Sequence, residues 1–516
     1  MLEQSFEKFP EFEAIVDGDV RLTYRQLNDL AERYSSGLRV NGVRKGDRIV
    51  IWAPNGWQWI VAALACWQAG AVLVPISTRL KALEVLPVLQ KSGCRIAFSG
   101  KNANGRDLPG LLSRFVADHG RESDGYPAGL ERVVLFSGDG ADDARAIAWD
   151  EFSASGGTDH RTAIDAGDTC EIIFTSGTTG RPKGVMLGHG QVLGSFWNLA
   201  NLRGRRAGDR HLVISPFSHV TGLHAGLLTG LMTGGTLVLS EVSQAERILN
   251  LIETESITVM AGPPGLFERL VAEDADGVRV LSNLRIAILM GAPASEKLVR
   301  RLKESIGIPG VFIGYAMTEC CSITSTERND DTDTVATTVG KAVRGVALRI
   351  VDDDGVDAGA GETGEIQVRG YCTMQGYFGD EEQTRTALTE DGWLRTGDLG
   401  CMTSDGHLRI VGRKKDMFIS YGFNVFPSDV ESLLMTSGVL SSVAVVSRAN
   451  RFSGEEGVAF VVPKPGAGFE RKKLLQWARQ NIANYKVPSD IRVLERLPLD
   501  RNGKIDRNAL VELFTK

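Results

Sequence analysis

Cysteine is scarce in this chain: seven residues, at positions 66, 94, 170, 320, 321, 372 and 401, with no CxxC pair among them. An odd, scattered set does not make a disulfide framework and points to a reducing compartment, the cytoplasm. The neighbours Cys320 and Cys321 read as packing residues rather than as a redox pair. Excess charge of one sign is also lacking. The 58 Lys and Arg face 64 Asp and Glu, a net charge of −6, which exerts no pull toward nucleic acid. Long hydrophobic runs are missing too. The longest, Trp59 to Ile76, is broken by Gln68, Gly70 and Pro75. It reads as a buried helix, a glycine stop and a strand, not as a membrane span. The opening MLEQSFEKFPEFE is acidic and has no apolar h-region, so no signal peptide is expected. Repeats and low-complexity tracts are absent.

What is present is ordinary in amount and informative in order. Hydrophobic residues make up 43% and charged residues 24%, the balance of a soluble globular enzyme. The 516 residues suffice for roughly three or four domain-sized units of about 150 residues. Short apolar runs (EIIFT, GVML, HLVIS, TLVLS, SITVM, LRIAIL, GVFIGY) alternate with helical patterns such as SEKLVRRLKESIG. That alternation predicts layered α/β structure with largely parallel sheets. After Gly340 the strands shorten and helices thin out, as in a small β-rich, barrel-like module. The basic cluster GRKKD then precedes a tail of about a hundred residues with two strong helix patterns, PSDVESLLM and ERKKLLQWARQNIANYK. A tail of that size could fold alone.

Four segments carry chemistry. TSGTTGRPKG, Thr175 to Gly184, joins two strand patterns and offers backbone N–H groups and hydroxyls to anionic oxygens. It is not the P-loop G-x-x-x-x-G-K-[ST], because Gly184 follows Lys183 and Pro182 precedes it. Gly177 and Gly180 permit close approach, and the segment is longer than a hairpin turn needs. GYAMTE, Gly314 to Glu319, ends a strand with Tyr315 for stacking on a base and Thr318 and Glu319 for phosphate and a hard cation. Alone it equally suits an ordinary strand end. LRTGDLG puts Asp398 in a turn where a carboxylate binds sugar hydroxyls or closes an Asx-turn. PLDRNGKIDR places Lys504 in a polar loop, where a lone lysine is normally solvated.

In order and wording these segments, with GETGEIQVRG, DGWLRTGDLG and GRKKD, resemble the adenylate-forming superfamily of acyl-CoA synthetases, nonribosomal-peptide adenylation domains and luciferases. The resemblance covers nearly the whole chain. It implies a large N-terminal adenylation core (1–412), a hinge (413–416) and a small mobile α+β domain (417–516). Thr175, Ser176, Gly177, Thr178, Thr179 and Gly180 would wrap the ATP phosphates with Lys183 as a clamp, and Thr178 and Glu319 would lie near Mg²⁺. Gly291, Ala292 and Pro293 would sandwich adenine with Tyr315, and Gly314, Ala316, Met317 and Thr318 would also belong to the ATP site. Asp398 would bind the ribose and Arg413 the ribose or α-phosphate region. Lys504 would bridge the substrate carboxylate and the α-phosphate, two anions whose repulsion a cation offsets. Lys504, Glu319, Thr318 and His219 make up the implied catalytic set, and Lys415 falls on the hinge position.

The segment SPFSHVTGL lacks the acid that nonribosomal-peptide enzymes use for an α-amine, and no carrier segment is expected after Lys504. The acyl-CoA synthetase branch remains, with ATP, Mg²⁺, coenzyme A and a small carboxylic acid as implied partners and a homodimer compatible with it. His219, Val220, Gly222, Gly291 and Met317 would line the acyl pocket, with Gly222 and Gly291 leaving room for a bulky acid. His219 can also be read as a satisfied loop histidine. Gly422 and Phe423 would line the pantetheine tunnel, although Tyr421, Asn450 and Ser453 depart from the family pattern around coenzyme A. IWAPNGWQWIVAALACWQAGA, DTVATTVG and DMFISYGFNVFPSDVE resemble actinobacterial ligases for polycyclic propanoates, close in kind to those for terpenoid acids. A bulky apolar acid is therefore expected. The alternatives are a medium-chain or aryl acid, or a catalytically silent nucleotide- or acyl-adenylate-binding relative.

Overall fold

The computed structural model describes residues 1–80, 82–100, 110, 130–136, 146–154, 162–175, 182–241, 244–274, 278–291, 294–413, 418–420, 423–450, 454–482, 484–500 and 503–514. The chain divides into two compact units, Met1–Ala347 with Val368–Leu394, and Leu348–Gln367 with Arg395–Lys516.

The first unit holds two sheets. Among the described residues, one has eight strands, in the order Gly376–Tyr377, Lys183–Gly188, Thr169–Thr175, Val72–Pro75, Arg48–Trp52, Ile96–Ser99, Arg132–Leu135 and Ala146–Ala148. The other has nine, and its central strands Gly310–Ala316, Ile286–Leu289, Val259–Gly262, Arg210–Val213 and Thr236–Leu239 run parallel. Strands such as IAIL and TLVL are buried at every position, the pattern of a parallel sheet covered on both faces. Helix Ala245–Thr254 shows why: its Ile248, Leu249 and Ile252 share one face and pack with Leu212, Met260 and Phe267, while its charged residues point away. Each such side chain, once buried, contributes roughly 1.5–3 kcal/mol.

The interrupted apolar run forms the expected helix, stop and strand. Helix Trp57–Gln68 buries Trp59 through Trp67, then Gly70 turns left-handed at φ 72°. The Gly70 and Ala71 N–H groups donate to Trp67 and Cys66 carbonyls at 3.0 and 2.9 Å, a Schellman closure that satisfies the last turn. A Cβ at Gly70 would also lie 2.9 Å from Thr162 Cγ2, so this stop requires glycine.

Most of the four-stranded sheet Val346–Val351, Gly364–Gly370, Leu394–Met402 and Leu408–Arg413 belongs to the second unit. That unit also holds a sheet built around the long antiparallel pair Leu440–Asn450 and Gly454–Pro463. Period-two alternation divides that pair cleanly. Val443, Val445, Ala459 and Val461 pack with Leu434, Leu474 and Ala478, whose helices Pro427–Met435 and Arg471–Asn481 match the two helix patterns read from the tail. Ala444, Val446, Val458 and Phe460 face the other way, onto Leu497 and Leu510. Among the described residues, no helix is long and apolar enough to cross a membrane.

Candidate active site

The strands Thr169–Thr175 and Lys183–Gly188 form an antiparallel stem in which Thr175 opposes Lys183. Ser176, Gly177, Thr178, Thr179 and Gly180 lie outside the described residues, so the structure fixes the two ends of this loop. Gly184 is needed in the stem because a Cβ there would stand 2.8 Å from Ile172 Cγ2. At the exit, Lys183 Nζ lies over the ring of Tyr377, 5.3 Å from its centroid. Tyr377 reaches this point through the two-residue strand Gly376–Tyr377, which pairs with Met186 and Val185.

The strand Gly310–Ala316 delivers the second segment. Gly314 has no room for a Cβ, which would sit 2.7 Å from the Thr324 carbonyl. Tyr315 is buried, and its N–H donates to Thr324 Oγ1 at 3.2 Å. Ala316 is exposed, Met317 half-buried, and Thr318 opens a short 3₁₀ turn, Thr318–Cys320. In that turn Glu319 Oε1 accepts a hydrogen bond from the Tyr377 hydroxyl at 3.0 Å. Burial, then the Glu319 charge, pushes the Tyr377 phenol well above its usual range, so it stays protonated and able to donate. The structure thus brings Lys183 and Glu319 to the two aspects of one tyrosine. Neither Lys183 Nζ nor Glu319 Oε2 has a charged partner among the described residues, which leaves a cation for phosphate oxygens and an oxygen for a hard cation.

Of the residues expected to line an acyl pocket, His219 is exposed, and its Nδ1 accepts the Thr221 N–H at 3.2 Å, which leaves Nε2 to carry the proton in the neutral ring. Asn55 clamps the preceding loop: its amide donates to the Ser215 carbonyl at 2.9 Å and accepts the Phe217 N–H at 2.8 Å. Val220 is half-buried and leads into a π-helix, Thr221–Leu228. The structure revises the reading of Gly222. A Cβ there would lie 2.2 Å from the Pro216 carbonyl oxygen and 2.4 Å from that of Ser215, so this glycine permits close backbone packing and opens no pocket volume. Gly291 is different: its φ is +86°, and a Cβ there would meet no described atom within 4 Å. Ala292 and Pro293 fall outside the described residues.

One buried pair escaped the sequence reading. Glu171, in the strand that leads into the loop after Thr175, hydrogen-bonds His224 of the π-helix, and both side chains are fully buried. Among the described residues Glu171 Oε2 and His224 Nδ1 find no partner. The signal was available: an acid inside the apolar run EIIFT has to meet a donor. Tyr377 left a fainter one, an aromatic in the glycine-flanked segment GYFG.

In the second unit, Asp398 occupies the strand Leu394–Met402 and not a turn, as a Cα partner of Arg413. The left-handed Gly397 (φ 70°) and a bulge after Leu399 give this strand the local bend that looked like a turn in sequence. The Arg413 and Phe423 side chains, Lys415 and Gly422 are outside the described residues. Lys504 is exposed on a tight turn, its N–H donating to Asp500 Oδ1 at 2.9 Å beside left-handed Gly503. Asn450 donates to Glu456 Oε2 at 2.5 Å, and Glu456 also pairs with Arg448. Cys320 meets Cys372 at 3.2 Å and not its neighbour Cys321, and all seven cysteines are free.

Residues 2–378 match the family described as AMP-binding enzyme, and residues 429–504 its C-terminal domain. The chain is 35% identical to the 7a-methyl-1,5-dioxo-octahydro-1H-inden-4-yl propanoyl:CoA ligase of Rhodococcus jostii (strain RHA1), over 99% of this chain and 97% of that one. It is 30% identical to the human mitochondrial medium-chain acyl-CoA ligase ACSF2, over 99% and 86%. Among solved structures, o-succinylbenzoate CoA synthetase of Bacillus subtilis, in complex with ATP and magnesium ion, superposes with a TM-score of 0.84 at 26% identity, covering 99% of this chain and 98% of that one. The chain belongs to the AMP-binding, adenylate-forming superfamily and is an acyl-CoA ligase of its AMP-forming kind.

Proposed function

We propose that this ligase joins a bulky, largely apolar carboxylic acid to coenzyme A. The acid's carboxylate attacks the α-phosphorus of ATP in line, the bond to the bridging oxygen breaks, and pyrophosphate leaves with the electron pair. The thiol sulfur of coenzyme A then attacks the acyl carbon and AMP departs. Positioning and charge neutralisation carry such a transfer.

The observation that carries the reading is the meeting of Lys183 and Glu319 at Tyr377, which ties the phosphate-loop stem to the carboxylate turn. In this reading Thr175 to Gly180 and Lys183 hold the phosphates. Gly291, Ala292, Pro293 and Tyr315 hold adenine, Asp398 holds the ribose, and Arg413 holds the ribose or the α-phosphate region. Lys504 brings a cation to the two reacting anions. The donor set fits Mg²⁺: Glu319 Oε2 is uncommitted among the described residues, Thr318 is adjacent, and Thr178 would complete it. When bound, Mg²⁺ neutralises phosphate charge. The core would span 1–412, with a hinge at 413–416 centred on Lys415 and a mobile domain at 417–516 that carries Lys504 and, at Gly422 and Phe423, the pantetheine tunnel. Seven free cysteines support a cytoplasmic setting.

The acid is inferred from the relatives. The Rhodococcus jostii ligase, and a Mycobacterium tuberculosis ligase 36% identical to this chain, are both named for a bicyclic propanoate. Medium-chain acids are the second reading, supported by the ACSF2 match. Pyrophosphate release measured over a panel of fused-ring propanoates, terpenoid acids, aryl acids and linear acids is expected to be fastest with the ring-bearing acids. Activity confined to short linear acids refutes the bulky-acid reading.

A further inference from the structure

We propose that Tyr377 is a positioning residue for Glu319 and Lys183, aiming one carboxylate oxygen at the cation and keeping the two charges from pairing with each other. The proposal rests on Glu319 being a cation ligand, as read above.

The segment around Tyr377 is fixed on two sides. Gln375 and Phe378 donate backbone N–H groups to the Met186 and Gly184 carbonyls at 2.9 and 2.7 Å, docking it on the loop stem. Met374 N–H donates to the Glu319 carbonyl at 2.8 Å, and the Cys372 and Cys320 sulfurs touch at 3.2 Å, docking it on the carboxylate turn. Tyr377 therefore has little freedom of its own, and it imposes its position on two side chains that have more.

The terminal torsion of a glutamate is broad, so a half-buried carboxylate has no preferred aim. The Tyr377 hydroxyl engages Oε1 at 3.0 Å, which leaves Oε2 uncommitted among the described residues. Partners of this kind orient a ligating carboxylate and account for about 10–100-fold in metal affinity. The ring does a second task. The Lys183 ammonium rests on its face at 5.3 Å, held by the ring quadrupole. A direct Lys183–Glu319 ion pair would consume both charges, and none is formed. With the ring interposed, the lysine stays free for phosphate oxygens and the carboxylate for a cation.

Two substitutions separate these tasks. Tyr377→Phe removes the hydroxyl and keeps the spacer; Glu319 is half-buried, so water replaces the lost donor and the fold is retained. Tyr377→Ala removes both. The probe is Mn²⁺ in place of Mg²⁺, titrated by electron paramagnetic resonance against enzyme saturated with α,β-methylene-ATP, which does not react. Expected is about tenfold weaker Mn²⁺ binding in Tyr377→Phe, with metal-free nucleotide affinity and melting temperature unchanged. Tyr377→Ala is expected to weaken metal-free nucleotide binding as well. Glu319→Gln should weaken Mn²⁺ at least as much as Tyr377→Phe, and the double variant Glu319→Gln, Tyr377→Phe no further than Glu319→Gln alone. If Glu319→Gln weakens Mn²⁺ while Tyr377→Phe binds it within twofold of the wild type, the positioning role is wrong. Equal losses of metal-free nucleotide binding and melting temperature in Tyr377→Phe would reduce it to a packing residue and overturn the proposal. An unchanged Mn²⁺ affinity in Glu319→Gln would instead overturn the cation-site reading beneath it.

Discussion

Replacing His224 by Phe leaves the Glu171 carboxylate without its hydrogen-bond partner at a position with no solvent exposure. Glu171 Oε2 already lacks a partner among the described residues, so nothing nearby takes over. Removing one member of a fully buried pair costs about 3–5 kcal/mol, because the remaining polar group keeps its desolvation penalty. Phe at 224 retains the ring contact that His224 makes with Phe196 at 4.9 Å, so little packing loss is added. Replacing both residues, Glu171→Leu with His224→Phe, removes the penalty as well as the bond, and the double variant is expected within about 1–2 kcal/mol of the wild type. Urea unfolding followed by tryptophan fluorescence reads the relevant unit, since Trp477 alone of the eight tryptophans lies in the second. A single variant that loses less than about 1 kcal/mol, or a double variant that loses the sum of the two singles, refutes the reasoning. Because Glu171 sits in the strand that enters the loop proposed to hold the ATP phosphates, the destabilised single variant should also show a raised KM for ATP, and the double variant should recover it.

Further outcomes are as concrete. Lys504→Ala should lower ATP–pyrophosphate exchange by roughly a hundredfold or more while sparing thioester formation from supplied acyl-adenylate; equal loss of both steps contradicts the role given to Lys504. Gly222→Ala drives a Cβ into two backbone carbonyls at 2.2 and 2.4 Å, so it should cost about 1–3 kcal/mol and raise the KM of the acid, whereas a variant that merely trims the range of acids accepted would favour the pocket-volume reading. His211 is buried beside Arg205 and Arg285, and burial, then those charges, holds its protonation well below the usual histidine range. Its contribution to stability is therefore complete above about pH 6.5 and is lost as pH falls, because the unfolded chain takes a proton that the folded one refuses. Replacing His211 by Gln should flatten the acid limb of the stability profile by up to about 1.4 kcal/mol per pH unit, as read by urea midpoints between pH 7 and pH 5.

The parts of the molecule that local pattern controls were readable in advance. The apolar run ending at Gly70, the buried parallel strands and the helices Pro427–Met435 and Arg471–Asn481 follow from period, caps and glycine placement. What escaped depends on partners far away in the chain. Glu171 and His224 are 53 residues apart and Glu319 and Tyr377 are 58 apart, and each looks unremarkable in its own segment. TGLHAGLL is helical in pattern, but nothing in it announces the wider π turn. Asp398 resembled a turn residue because glycine flanks it, and the bend proved to be a bulge within a strand. Gly222 was read as missing bulk, whereas its surroundings show backbone where a side chain would go.

The central claim is that the acid's own carboxylate oxygen attacks the α-phosphorus of ATP. An acid labelled with oxygen-18 in its carboxylate, turned over with ATP and coenzyme A, tests it by mass spectrometry of the nucleotide product. The account predicts one labelled oxygen in AMP and none in pyrophosphate. Label appearing in inorganic phosphate beside ADP, or AMP released without label, would contradict it.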